Sequence, residues 1–221
     1  MPKPRSIDAP PIAQWQIQLS DGLDALGLTL SPTQQQQLLD YLALLLKWNR
    51  VFNLTAVRDP GQMVARHLLD SLAIVPWVRG PRVLDVGTGA GLPGIPLAIA
   101  LPEFQFVLLD SNGKKTRFVQ QAVAELGLPN VSVEQARVEA FRDARGFDTI
   151  TSRAFADIDR MLDQTAHLRA PGGQWAAMKA GLEELHDLKA RSGLAHQVIP
   201  LTVPGEAGRR HLVLVGEAGR L

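Results

Sequence analysis

Val83-Leu84-Asp85-Val86-Gly87-Thr88-Gly89-Ala90-Gly91-Leu92-Pro93-Gly94-Ile95-Pro96 is the stretch whose reading decides the fold. A short apolar run with a β-branched bias breaks into four glycines within eight residues, and an apolar run resumes from Ile95 to Leu101. That order reads as strand, tight loop and helix start. Glycines suit the loop because a bulky ligand must approach the backbone and because the turn uses dihedrals closed to residues with a Cβ. The helix start adds free N–H groups and a positive dipole end.

A nucleotide-like ligand follows, and the spacing narrows its kind. The dinucleotide fingerprint needs Gly-x-Gly-x-x-Gly, but Leu92 stands at the third glycine's place. The pattern is instead Asp-x-Gly-x-Gly-x-Gly, with Asp85 on the strand before the loop. Further on, the run Phe104 to Leu109 ends in Asp110, where a second strand would present a carboxylate to a ribose. The order resembles the S-adenosylmethionine loop of Rossmann-like methyltransferases, with a merely structural turn as the alternative.

The chain of 221 residues can form one sizeable domain with an appendage, or two small ones. Its 46% hydrophobic and 20% charged residues are ordinary for a globular protein, and a net charge of +1 gives no global field toward nucleic acid or membrane. Cysteine is absent, which excludes disulfides, thiolate metal sites and thiolate nucleophiles. No apolar leader opens the chain and no run reaches membrane-spanning length, so a cytoplasmic protein is expected.

Residues Met1 to Pro11 read as a proline-rich tail, Ile12 to Leu26 as a first helix stopped by Gly27, and Ser31-Pro32-Thr33-Gln34 as the capped start of a second helix reaching Trp48. Asn49 to Arg58 has no helical period and reads as a structured loop. A third helix is expected from Asp59-Pro60 to Val75. Beyond Pro81, strands and helices alternate: strand to Val86, helix Ile95 to Leu101, strand to Leu109, helix Ser111 to Leu126, strands Val131 to Val133 and Phe147 to Ile150, helix Phe155 to Leu168, strand Gln174 to Met178. Alternation implies a parallel sheet with right-handed crossovers. The runs Gln197 to Val203 and His211 to Val215 are expected to pair as an antiparallel edge.

Lys47-Trp48-Asn49, Asn53-Leu54-Thr55, Arg66-His67-Leu68-Leu69-Asp70-Ser71, Asp85 to Pro96, Ser152-Arg153-Ala154-Phe155-Ala156 and Ala177-Met178-Lys179 come in an order that resembles the ribosomal RNA small subunit methyltransferase G family, also called glucose-inhibited division protein B. The match runs from about Leu38 to about Val215. It implies an α/β, Rossmann-like S-adenosylmethionine-dependent methyltransferase with a mostly parallel sheet and an N-terminal helical subdomain. It also implies methyl transfer to N7 of one guanine in 16S rRNA of the small ribosomal subunit. The expected division is residues 1–22 as tail and start of the first helix, 23–79 as a helical RNA-contacting subdomain, and 80–221 as the methyltransferase domain. Carried over by position, Gly87, Leu92, Val138, Glu139 and Arg153 are cofactor contacts. The expected monomer uses no metal. One departure is Ala180 before Gly181, where the family places glycine directly after the lysine.

The residues can be read physically beside that resemblance. Gly87 and Gly89 would let the backbone approach the methionine moiety, and Asp110 would accept from the ribose hydroxyls or be a solvated strand-end carboxylate. Val138-Glu139 follow a third strand, near where the adenine edge should lie. Arg153 ends a buried strand and needs a partner, either a cofactor carboxylate, Asp85 or an internal salt bridge. Asn53, His67 and Lys179 are positioning candidates. Between Leu44 and Arg82, Lys47, Arg50, Arg58, Arg66, Arg79 and Arg82 face only Asp59 and Asp70, and Lys114, Lys115 and Arg117 extend a possible phosphate track. The alternative is a solvated helix surface. Trp48 and Phe52 belong to the core or stack on a flipped base.

Absent motifs point to the acceptor. Exocyclic-amine methylation commonly goes with Asn/Asp-Pro-Pro-aromatic after the fourth strand, but that place reads Ser152-Arg153-Ala154-Phe155. No thiolate serves carbon-5 chemistry. The N7 lone pair of guanine needs no deprotonation, so none of His67, His167, His186, His196 and His211 is required as a base. The rivals are a small-molecule methyltransferase and a non-catalytic RNA-binding module whose loop is only structural.

Overall fold

The computed structural model describes residues 10–153, 155, 157–181 and 193–219. The tail before Pro10, Ala154, Ala156 and His186 lie outside them.

Helix α1 (Ile12–Leu26) ends at Gly27, whose φ of 67° lets its N–H and that of Leu28 reach back to the last turn. Helix α2 (Pro32–Phe52) begins in a reciprocal capping box between Ser31 and Gln34. It runs one turn beyond Trp48, into the expected loop, and stops where Asn53 takes a left-handed φ of 51°. The third helix is not uniform. A 3₁₀ turn (Pro60–Gln62) capped by Asp59 leads into a π-helical segment (Val64–Leu69) and a short α-helical turn, α3 (Asp70–Leu72).

The sheet follows the order β3-β2-β1-β4-β5-β7-β6. Its strands are β1 (Arg82–Val86), β2 (Gln105–Asp110), β3 (Val131–Gln135), β4 (Phe147–Ser152), β5 (Arg169–Lys179), β6 (Leu194–Leu201) and β7 (Arg210–Glu217). The first five pair in parallel, and β7 lies antiparallel between β5 and β6. Thus the expected antiparallel pair forms, with β6 as the edge. The chain moves outward from β1 to β3 and returns to the other side of β1 as β4, so a topological switch point lies between β1 and β4.

Helices α4 (Gly94–Ala100), α5 (Gly113–Leu126) and α6 (Ile158–Thr165) complete the layers. The apolar faces of α1 and α2 share one core with α4, α5 and one sheet face, joining Trp15, Leu38, Leu42 and Leu68 to Ile95, Leu108 and Phe118. A second core under α6 joins Met161 and Leu162 to Leu84, Ile150 and Trp175. Helix α6 is shorter than expected because Asp157 caps it, accepting from the Arg160 N–H, and because a 3₁₀ turn (Ala166–Leu168) ends it. Strand β5 starts five residues before Gln174; Gly172 and Gly173 fall where its register against β4 shifts, between the Phe147 and Thr149 pairings.

Candidate active site

The carboxyl ends of β1, β2 and β4 meet around the glycine loop. Gly87, Gly89 and Gly91 have φ of 68°, 61° and 90°, a region closed to most side chains. The Gly87 and Thr88 N–H groups both donate to the Leu109 carbonyl, which ties the loop to the end of β2. Gly94 fits because a Cβ there would lie 2.1 Å from Leu108 and 2.8 Å from an Asp85 oxygen.

Two carboxylates hold this loop. Asp85 is fully buried; its Oδ2 accepts from the Thr88 hydroxyl at 2.6 Å and the Gly94 N–H at 2.9 Å, while Oδ1 has no partner among the described residues. Burial pushes its carboxyl up to about 6, against the lowering pull of Thr88, Gly94 and Arg153. Asp110 accepts the Gly89 N–H at 2.9 Å on one oxygen and the Asn112 N–H at 2.8 Å on the other. Its carboxylate is therefore fixed across the loop, with a lone pair on each oxygen still available. From the other side, buried Tyr41 of α2 donates its hydroxyl to the Ala90 carbonyl at 2.8 Å.

A cavity of about 190 Å³ opens here, walled by Val86, Gly87, Leu109, Val138 and Phe155 with Asp110 and Glu139 among its polar groups. A slot with apolar walls at Val86, Leu109, Val138 and Phe155, an oriented carboxylate and a left-handed glycine backbone fits a nucleoside with a free diol. Glu139 is exposed and its Oε1 accepts from Gln164 Nε2 at 2.9 Å. The Leu92 side chain is buried in the core, and its N–H bonds to the Thr88 carbonyl.

A second, larger cleft of about 300 Å³ lies at the ends of β4, β5 and β7, under the π-helical segment. Arg153 reaches it and pairs with Asp70 at 3.3 Å while donating to the Arg66 carbonyl at 3.1 Å. The internal partner of Arg153 is thus Asp70, not Asp85. Lys179 lines the cleft and donates to the Phe155 carbonyl at 2.7 Å. His67 is buried, with Nε2 3.1 Å from the Thr55 hydroxyl; burial, then the Arg153 charge, lowers its pKa to about 3. Asn53 ends α2 and accepts from Arg58 Nη2 at 2.7 Å; it is not among the residues lining the cleft.

The basic residues divide between the two ends of the sheet. Arg82 forms a two-point pair with Asp143 over the Phe147 ring at the amino end of β1, and the Arg79 backbone is bonded to Thr149. Both lie away from the glycine loop. Lys47, Arg50, Arg58, Arg66 and Lys114 are exposed, and a Cβ placed on Gly89 would lie 4.0 Å from Lys115 Nζ, so Lys115 sits at the loop. Trp48 packs 5.7 Å from Phe118, and Phe52 leans on Trp48 with its own side chain 42% exposed. Sequence reasoning missed three groups of the cleft, Thr55, Asp70 and Arg210. Thr55 and Asp70 sat in strings already singled out. Arg210 gave no signal, being 140 residues from its partner Asp70.

Among the described residues no group of three or more His, Asp or Glu is placed to hold a metal ion, and no helix is long and apolar enough to cross a membrane.

Solved structures share the architecture. A putative O-methyltransferase from Klebsiella pneumoniae superposes with a TM-score of 0.60 at 18% identity, covering 93% of this chain and 98% of that one. The O-methyltransferase TomG from Streptomyces achromogenes, solved in complex with S-adenosylmethionine, gives 0.58 at 20% identity, covering 90% and 96%. These show the fold. Sequence relatives are closer. The ribosomal RNA small subunit methyltransferase G of Laribacter hongkongensis is 52% identical over 201 residues, 90% of this chain and 97% of the relative. That of Marinobacter nauticus is 52% identical over 210 residues, covering 94% and 97%. The family model described as rRNA small subunit methyltransferase G matches residues 34–213, spanning both the helical layer that carries Tyr41 and the sheet that carries the glycine loop. With the loop, its two carboxylates and both clefts inside that match, the chain belongs to the rRNA small subunit methyltransferase G family.

Proposed function

We infer that this chain transfers the methyl group of S-adenosylmethionine to N7 of a specific guanine in 16S rRNA of the small ribosomal subunit. The observation that carries the reading is the pairing of a nucleoside-shaped slot at the glycine loop with an adjoining cationic cleft across the end of β4. When bound, the cofactor supplies an electrophilic methyl on a sulfonium. Asp110 would hold the ribose diol, Gly87 and Gly89 would admit the methionine backbone, and Val138, with Leu92 beneath the loop, would shape the slot. Glu139 would stand at the adenine edge. Asp85 would hold the loop closed through Thr88 and Gly94, and Arg153, which lines the second cleft, would reach the cofactor's carboxylate from there.

The acceptor needs alignment and exclusion of water more than a base. Its N7 lone pair forms the new C–N bond as the sulfonium–carbon bond breaks, leaving a cationic 7-methylguanine and a neutral thioether. The histidine in the cleft supports this reading, because a pKa held near 3 makes it a poor proton acceptor. Asn53, His67 and Lys179 would act as positioning groups. Lys47, Arg50, Arg58, Arg66, Lys114 and Lys115 would supply phosphate contacts from the helical layer and the start of α5.

The test uses small subunits carrying 7-deazaguanine at the target, which keeps shape and pairing edge but has C–H in place of the nitrogen. Unsubstituted subunits should take up labelled methyl and the substituted ones should not. Labelling of the deaza nucleotide would refute N7 as the acceptor. Preferential labelling of small phenols or catechols would favour the small-molecule reading.

A further inference from the structure

Four cationic side chains, Arg66, Arg153, Lys179 and Arg210, line the cleft on the β5 and β7 side. Among the described residues, the three arginines are held by two carboxylates. Asp70, with its side chain 5% exposed, takes Arg153 on Oδ2 and Arg210 Nε on Oδ1 at 3.1 Å. Glu206, on the connection between β6 and β7, takes Arg66 Nε at 3.1 Å and Arg210 Nη2 at 3.5 Å. Among the described residues, three arginines against two carboxylates leave the network net cationic.

Carboxylates that fix a larger number of arginines make a rigid anion receptor. Arg210 is held at all three guanidinium nitrogens, Nε by Asp70, Nη2 by Glu206 and Nη1 by the Arg209 carbonyl at 3.1 Å, so the one N–H left on each Nη has a set direction and little rotamer freedom is left to lose on binding. We propose that Arg66 and Arg210 form a subsite for a backbone phosphate of the RNA strand beside the acceptor guanosine, with Asp70 and Glu206 as the residues that position them. The proposal rests on the RNA-methyltransferase reading and adds Arg210 and Glu206 to it. The competing anion is the carboxylate of the cofactor's methionine moiety. Phosphate is favoured because Arg66, the other arginine of the pair, has a side chain 44% exposed at the cleft, and neither arginine lines the slot at the glycine loop.

The experiment measures binding to unmethylated small subunits across a salt series, together with calorimetric affinity for S-adenosylmethionine, for wild type, Arg210→Gln, Arg210→Lys and Glu206→Gln. Loss of one phosphate contact should lower the slope of log affinity against log salt by about 0.7–1. Arg210→Gln should show that loss and bind subunits at least several-fold more weakly, with cofactor affinity within twofold of wild type. Arg210→Lys should keep the slope, because the charge is kept. Glu206→Gln should keep the wild-type slope, because its amide oxygen still accepts from both arginines and no phosphate contact is lost. The proposal is overturned if Arg210→Gln keeps the wild-type slope. It is equally overturned if that variant loses cofactor affinity instead, which would assign the anion to the methionine carboxylate, or if Glu206→Gln weakens subunit binding as much as Arg210→Gln. Wild-type protein that neither binds nor methylates subunits would instead bring down the underlying reading.

Discussion

Asp85 offers a sharp test of how the glycine loop is held. Its carboxyl is fully buried, accepts two hydrogen bonds on one oxygen and, among the described residues, none on the other, and has a pKa raised from 3.8 to about 6, chiefly by burial. A raised carboxyl pKa means that the folded chain binds a proton which the unfolded chain has released between about pH 4 and pH 6. Stability should therefore fall as pH rises through that window, and the shift of about two units corresponds to roughly 3 kcal/mol between its ends. Asp85→Asn keeps an oxygen for the Thr88 hydroxyl and the Gly94 N–H and has nothing to titrate. The amide nitrogen then occupies the place that already lacks a partner, so the readout is the pH slope and not the absolute stability. Urea unfolding of the cofactor-free protein at half-unit steps from pH 4 to pH 7 measures it. The wild-type minus variant stability should decline by a few kcal/mol (about 3) as pH rises. Parallel curves would refute the reasoning, since a carboxylate ionised throughout would then be stabilised by groups other than those seen around it.

Three further outcomes follow from the same geometry. Tyr41→Phe removes the hydroxyl from the Ala90 carbonyl, so thermal melts should fall by roughly 3–6 °C, the effect of about 1–2 kcal/mol on a domain of this size; an unchanged midpoint would show that this bond does not couple α2 to the loop. Asp110→Ala should weaken S-adenosylmethionine binding at least tenfold by titration calorimetry, about 1.4 kcal/mol, because the loop loses the acceptor of the Gly89 N–H together with the ribose acceptor; wild-type affinity in a folded variant would take Asp110 out of the site. His67→Gln should leave the pH dependence of methyl transfer between pH 6 and pH 9 unaltered, because a group with a pKa near 3 does not titrate there; a displaced limb in that range would make His67 a titrating participant.

The bounds of α1, the capped start of α2, the strand–loop–helix at Val83 to Pro96 and the alternation behind it were legible in the sequence, because caps, glycines and apolar periods are local properties. The carboxylate at the end of β2 was legible for the same reason: it stands at a fixed distance along the chain from the loop. The tertiary structure decided what depends on distant partners or on small backbone changes. The helix after Asp59 carries a regular apolar pattern, yet it contains a π-helical segment in which the Asp70 N–H reaches Ala65 rather than Arg66. A period count does not resolve one extra residue in a turn, and that turn helps to line the cleft with Arg66, His67 and Asp70. The basic run from Lys47 to Arg82 looked continuous in sequence, but the fold sends Arg79 and Arg82 to the amino end of β1 and brings Arg210 in from β7. Chain order fixes which residues are neighbours along an element. Which charges share a cleft is settled by the strand order β5-β7-β6, which sets Arg210 beside Asp70, 140 positions away along the chain.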